Sequence, residues 1–172
     1  SSLPVFGFVV HVAGTFPQGA AAYEKRGVAV DVPEWIPDNC IQCNQCSYVC
    51  PHATIRPFLM NAQEAASAPE STKFAPKVIG KGYDDYKFTM AISPLDCMGC
   101  GLCVNVCPTK PEKRAPKMVP QESQADQQAA FNYAVENVSR KETNFPALKD
   151  SQFNQPLLEF SGSCAGCAET SY

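Results

Sequence analysis

The chain has 172 residues, 45% of them apolar, which suffices for one domain or two small ones with a buried core and sets disorder aside. Ten glycines and fifteen prolines are too few for a linker or a collagen-like chain. A net charge of −3 with no long basic run argues against nucleic acid as a ligand, and the longest apolar stretch, Val5 to Gly14, is about half of the roughly 20 residues that cross a bilayer.

In chain order, Val5–Val12 reads as a strand by its β-branched and aromatic content, Phe16–Gly19 as a turn, and Ala20–Arg26 as a short helix stopped by Gly27. Val28–Val32 reads as extended. Pro33, Trp35 and Pro37 leave no room for regular structure before the first cysteines. Further on, Thr54–Phe58 and Phe88–Ile92 are expected strands, Asn61–Ala68 a helix ending near Pro69, and Lys73–Lys87 a surface loop. Lys110, Lys113, Arg114 and Lys117, interleaved with Pro111, Pro116 and Pro120, read as a solvated loop, with an electropositive docking edge as the sharper alternative. Ser123 is placed to cap a helix over Gln124–Arg140 with Ala130, Ala134, Val135 and Val138 on one face, and Phe145–Phe160 follows as extended, polar chain.

An internal repeat organises the ten cysteines. Cys40-Ile-Gln-Cys43-Asn-Gln-Cys46-Ser-Tyr-Val-Cys50-Pro51 recurs 57 residues later as Cys97-Met-Gly-Cys100-Gly-Leu-Cys103-Val-Asn-Val-Cys107-Pro108. A disulfide framework would suit a secreted protein, but no leader is visible before these runs, and a reducing, cytoplasmic compartment is the expectation. Three thiolates at i, i+3 and i+6 wrap three corners of a cubic [4Fe–4S] cluster, and in the C-x₂-C-x₂-C-x₃-C-P run of two-cluster ferredoxins the fourth cysteine serves the other cluster. On that pattern Cys40, Cys43, Cys46 and Cys107 hold one cluster and Cys97, Cys100, Cys103 and Cys50 the second, tying the repeats together across 46 residues. Zinc competes for Cys₄ sites, but its structural sites pair two C-x₂-C knuckles without a triple run and Cys-Pro. Two such clusters would take the charge from −3 to about −7.

Pro51 and Pro108 bias Cys50 and Cys107 toward extended geometry. Gly99 and Gly101 are expected to let the backbone approach the cluster and offer it N–H groups. Tyr48 and Trp35 read as shields against water, His52 as solvent-facing with cluster tuning as the alternative, and His11 as a packing residue. The last pair, Cys164 and Cys167, is half of a tetrahedral site. Its spacing alone leaves open a third metal site completed elsewhere, a redox dithiol, or free thiols. The opening Ser-Ser-Leu-Pro and a C-terminus five residues past Cys167 lead us to expect a piece of a longer protein.

Three stretches carry a family resemblance: Tyr23–Ala29 running through Pro33–Pro37 into the cysteine repeats, Pro111–Pro120, and Phe160-Ser-Gly-Ser-Cys164-Ala-Gly-Cys167-Ala-Glu-Thr170. Over nearly its whole length the chain resembles the pyruvate:ferredoxin (flavodoxin) oxidoreductases, with Ala168 and Ser171 where the family usually shows Gly and Pro. The resemblance implies a two-cluster ferredoxin-like domain followed by the start of a thiamine-diphosphate domain, with Cys164 and Cys167 as two ligands of a third [4Fe–4S] cluster. It also implies a homodimeric parent that uses thiamine diphosphate, Mg and coenzyme A and reduces ferredoxin or flavodoxin.

The expected architecture is thus an α+β, ferredoxin-like core with pseudo-twofold symmetry and terminal extensions. It divides into an arm packing on the core (1–38), the two-cluster domain (39–121), and a linker into the third motif (122–172). The expected function is intramolecular electron transfer, with partners in the remainder of the parent and in ferredoxin or flavodoxin, and none in nucleic acid or membrane. An independent two-cluster ferredoxin subunit or a structural iron–sulfur interaction module are the alternatives.

Overall fold

The computed structural model describes residues 25–141 and 148–154. Four strands form two antiparallel pairs nested in chain order: β1 (Asp31–Trp35) pairs with β4 (Pro116–Pro120), and β2 (Ile55–Met60) with β3 (Lys87–Ile92). Two four-residue helices, α1 (Gln45–Tyr48) and α3 (Leu102–Asn105), lie inside the cysteine repeats at the same 57-residue offset and pack against each other. α2 (Ala62–Ala66) follows β2, and α4 (Gln127–Asn137) follows β4. This mixture is an α+β, ferredoxin-like fold. Among the described residues no helix is long and apolar enough to cross a membrane.

The outer sheet contradicts the sequence reading, which gave Pro33 and Trp35 no regular structure and read Lys110–Pro120 as loop. Its register explains why. The bonds Gln121 N–H to Val30 O (3.0 Å) and Ile36 N–H to Ala115 O (2.8 Å) flank the ladder, so the even-numbered residues of β1 face its hydrogen bonds. Pro120, Met118 and Pro116 stand opposite Asp31, Pro33 and Trp35, in the alternate pairs whose N–H groups point away from the partner strand. All three prolines therefore occupy positions where a missing N–H costs no ladder bond. β1 begins three residues later than the expected extended segment, within the stretch assigned to the arm.

The inner sheet is buried on both faces. Ile55, Leu59, Phe88, Met90 and Ile92 join Trp35, Tyr83 and Phe153 in one core, where Phe88 meets Trp35 edge-on at 5.9 Å and Phe153 at 6.1 Å. Phe58, Met60 and Ala91 pack on the other side against Phe131 and Ala134 of α4. Two further expectations fail here. Val135 is exposed, and Ser123 turns its hydroxyl back to Pro120 O (2.7 Å) within a 3-10 turn, so α4 starts only at Gln127. The stretch read as surface loop buries Tyr83, and residues 148–154 of the expected extended chain form a 3-10 helix that contributes Phe153. Lys25 and Arg26 are not helical; the expected elements at 5–12 and 16–24 lie outside the described residues.

α2 follows its expected position because Asn61 and Glu64 make a reciprocal capping box, with N–H to carboxylate and N–H to Oδ1 distances of 2.8 Å. Glu64 also accepts from Ser139 N–H (2.9 Å) and from the buried Lys141 ammonium (2.8 Å), strapping the end of α4 to α2. Burial by itself would raise the Glu64 carboxyl; Lys141, Asn61 and Ser139 outweigh it and hold the group at about 2. A carboxyl depressed below its unfolded value stabilises fully above that value and loses the contribution as pH falls toward the folded one. Glu64→Gln is therefore expected to lower stability at pH 7 by about 2–4 kcal/mol, since it also leaves the Lys141 charge unpaired. In denaturant melts of both proteins, the gap should narrow as pH falls from about 4.5 toward 2.

Candidate metal centres

Each cysteine run is a loop whose backbone alternates hand. Gln42 (φ 55°) and Asn44 (φ 59°) are left-handed in the first, and Gly99 (φ 71°) and Gly101 (φ 72°) are left-handed in the second. Successive residues of opposite hand turn their N–H groups to one side, which makes a concavity for negative charge. In it Gln42 N–H points at Cys40 Sγ (3.4 Å) and Gly99 N–H at Cys97 Sγ (3.3 Å). The fourth cysteine of each run is met by a threonine: Thr54 offers both N–H and hydroxyl to Cys50 Sγ (each 3.3 Å), and the Thr109 hydroxyl lies 3.2 Å from Cys107 Sγ.

Two cavities open between these loops and the sheets. Cys40, Cys43 and Cys46 share theirs with Cys107, under Trp35, Met90 and Ala115. Cys97, Cys100 and Cys103 share theirs with Cys50, beside His52, Met98 and Leu102. The tetrads ring a space and do not close on a point: among the described residues no three His, Cys, Asp or Glu side chains converge as for a single ion. The eight are free thiols, and no carboxylate lines either cavity. So soft a donor set suits iron–sulfur or zinc and not calcium or magnesium.

Four of these thiols, Cys40, Cys46, Cys97 and Cys103, resist ionisation without a cation. Burial, then the neighbouring Cys97, Cys50 and Cys100, pushes Cys103 up to about 12. Cys46 is raised well above the ordinary thiol value by burial and by Cys40, Cys103 and Cys43, and Cys97 by burial before any neighbour. At Cys40 burial wins over the opposing Trp35 indole and Gln42 N–H. Cys107 is lowered, its burial outweighed by Thr109, the Ala115 N–H and Arg114. A positively charged iron core in each tetrad would supply the charge that ionised thiols need, and on this ground the residues fit a [4Fe–4S] cluster in each cavity. Cys103 of one tetrad adds to the cost of ionising Cys46 of the other, and the helices α1 and α3 that carry them pack together, so the two centres are neighbours.

Several expected roles change. Trp35 is buried and lines the first cavity as anticipated, but Tyr48 is exposed and uses its hydroxyl to hold Leu148 O (2.6 Å) instead of shielding a cavity. His52 does not face solvent: it is buried in the second cavity wall with Nε2 2.7 Å from Met98 Sδ. Gly101 lines the second cavity. A Cβ there would meet nothing within 4 Å, whereas one on Gly99 would lie 2.9 Å from Asp31 O. Gln42, Asn44, Thr54 and Thr109 were missed; aligning the repeats residue by residue would have set Gln42 and Asn44 against the two glycines. His11, Cys164 and Cys167 lie outside the described residues.

Residues 39–110 match the family model of the 4Fe-4S dicluster domain. Site, fold and this match together place the chain with the iron–sulfur proteins of the ferredoxin-like class. The chain is 54% identical over 162 residues to the pyruvate:ferredoxin oxidoreductase of Moorella thermoacetica, covering 92% of this chain and 14% of that protein. It is 49% identical over 175 residues to the pyruvate-flavodoxin oxidoreductase of Klebsiella pneumoniae, covering 99% and 14%. With the mitochondrial pyruvate dehydrogenase [NADP(+)] of Euglena gracilis it shares 44% identity, covering 95% and 9%. The chain belongs with the pyruvate:ferredoxin/flavodoxin oxidoreductases as the homologue of one segment, spanning about 14% of the length of the first two.

The two glycines of the second loop should respond differently. Gly101→Asn, which reproduces Asn44 in open space, is expected to shift the melting midpoint of the loaded protein little. Gly99→Ala adds a backbone clash to a left-handed strain of about 1–2 kcal/mol and should cost at least about 2 kcal/mol in a denaturant melt.

Proposed function

We propose that this chain is the electron-transfer segment of a pyruvate (2-oxoacid) oxidoreductase that delivers electrons to ferredoxin or flavodoxin. The observation that carries the reading is the sharing of cavities: two neighbouring thiol tetrads, each drawn from both cysteine runs. Bound in them, [4Fe–4S] clusters supply one-electron chemistry at low potential. In the proposal Cys40, Cys43, Cys46 and Cys107 ligate one cluster and Cys97, Cys100, Cys103 and Cys50 the other.

The surrounding residues have defined work in this reading. Trp35, Met90 and Ala115 keep water from the first tetrad. Amide donors at Gln42, Gly99 and Thr109 and the Thr54 amide and hydroxyl stabilise negative charge on sulfur and so favour the reduced state. The matching 57-residue offset of α1 and α3 and the nesting of β1–β4 around β2–β3 support a pseudo-twofold core with terminal extensions, divided at 38/39 and 121/122. Cys164 and Cys167 provide two ligands of a third cluster. Thiamine diphosphate, Mg and coenzyme A belong to the remainder of the parent, a cytoplasmic homodimer.

Anaerobic analysis of the full-length protein should give about eight iron and eight acid-labile sulfide for these two sites, reversibly reduced together. Zinc without sulfide would remove the cluster assignment, and clusters that cannot be reduced would leave a structural module. Cys107→Ala should perturb the site of Cys40, Cys43 and Cys46 and spare the other; selective loss of the Cys97 site would show that each run keeps its own fourth cysteine. Replacing Cys164 and Cys167 by Ser should abolish reduction of both clusters by pyruvate and leave reduction by dithionite intact.

A further inference from the structure

The two cysteine loops share a backbone conformation but not the means of holding it. In the second loop the left-handed positions are glycines, Gly101 stands in open space, and Cys100 is exposed. In the first they are Gln42 and Asn44, 2% and 1% exposed, with side chains that reach out of the loop to other segments. Gln42 Nε2 donates to Lys77 O (2.5 Å), and its Oε1 accepts from Ile79 N–H (2.8 Å). Asn44 Nδ2 donates to Lys149 O (2.8 Å). Lys149 Nζ in turn donates to Ile79 O (3.1 Å), so the two outer segments are tied to each other across the loop. Ser47 adds a bond to Gln152 Oε1 (2.8 Å) one turn further on.

We propose that Gln42 and Asn44 are positioning residues that lock the first cysteine loop from outside, so that the centre of Cys40, Cys43, Cys46 and Cys107 keeps its cluster when the centre of Cys97, Cys100, Cys103 and Cys50 loses its own. The inference rests on the cluster assignment proposed above. A ligand leaves iron only when its loop swings away. Opening the first loop must break the three bonds made by Gln42 and Asn44 and strand buried amide groups, a cost the second loop does not carry because glycine has nothing to unmake. Left-handed asparagine and glutamine therefore do work that the local conformation, better served by glycine, does not require.

The test follows cysteine accessibility in the native full-length protein, purified anaerobically and treated for increasing times with an iron chelator. Iodoacetamide then labels freed thiols, which peptide mass spectrometry locates. In the wild type, Cys97, Cys100, Cys103 and Cys50 are expected to label as a set about tenfold faster than Cys40, Cys43, Cys46 and Cys107. Gln42→Gly and Asn44→Gly keep the backbone conformation and remove the lock; each should speed labelling of the first set, and the double variant should bring the two sets to similar rates. Equal or reversed order in the wild type overturns the proposal even if a variant fails to load, and so does an unchanged order in the variants. Failure of the cluster assignment itself is separate: iron and sulfide would be missing before any chelator is added.

Discussion

Four thiols gathered round one cavity repel one another as they ionise, and this protein holds two such tetrads side by side. Burial is the leading cause of the raised thiols at Cys40, Cys46, Cys97 and Cys103, and neighbouring thiols add to it. The rest of the structure can be understood from that cost. It has backbone amides and hydroxyls aimed at sulfur, an apolar wall that excludes water, and donor sets that become favourable when a cationic core is present. Because each tetrad takes its fourth member from the other run, neither cavity exists without the long-range packing of both.

The nested sheets supply that packing. β1–β4 brings the residues before the first run against those after the second, and β2–β3 does the reverse. Each strand thus enters or leaves a cysteine loop, and the strand registers fix where the loops sit. The inner sheet is buried between the aromatic core around Phe88 and the α4 face around Phe131, which makes it the rigid member. The outer sheet is short and rich in proline, a combination that survives because every proline falls outside the hydrogen-bonded pairs.

The two halves are not copies in chemistry. Glycine in the second loop meets the left-handed requirement with no side chain, whereas Gln42 and Asn44 meet it at some backbone cost and return buried hydrogen bonds to distant chain. Other unequal elements follow the same line. Tyr48 of α1 anchors residues 148–154, and Asn105, at the same place in α3, is exposed.

The sequence by itself determined the chemistry of this protein. Cysteine spacing is local, a loop of seven residues can wrap three corners of a cluster, and so the tetrads, their iron–sulfur character and the family resemblance were legible without a fold. The inner strands and α2 were legible too, because Thr54–Phe58 and Phe88–Ile92 are short runs rich in β-branched and aromatic residues and Asn61–Glu64 is a complete local cap. Tertiary structure alone decided the rest, since it depended on partners far along the chain. Whether Pro33, Pro116 and Pro120 end a strand or ride in one is set by the register between residues about 85 apart. His52 is buried because Met98 and the second loop close over it, and Phe153 enters the core because Asn44, Ser47 and Tyr48 hold its segment there. Composition read those segments as polar surface; long-range hydrogen bonds, which have no local signature, brought them inside.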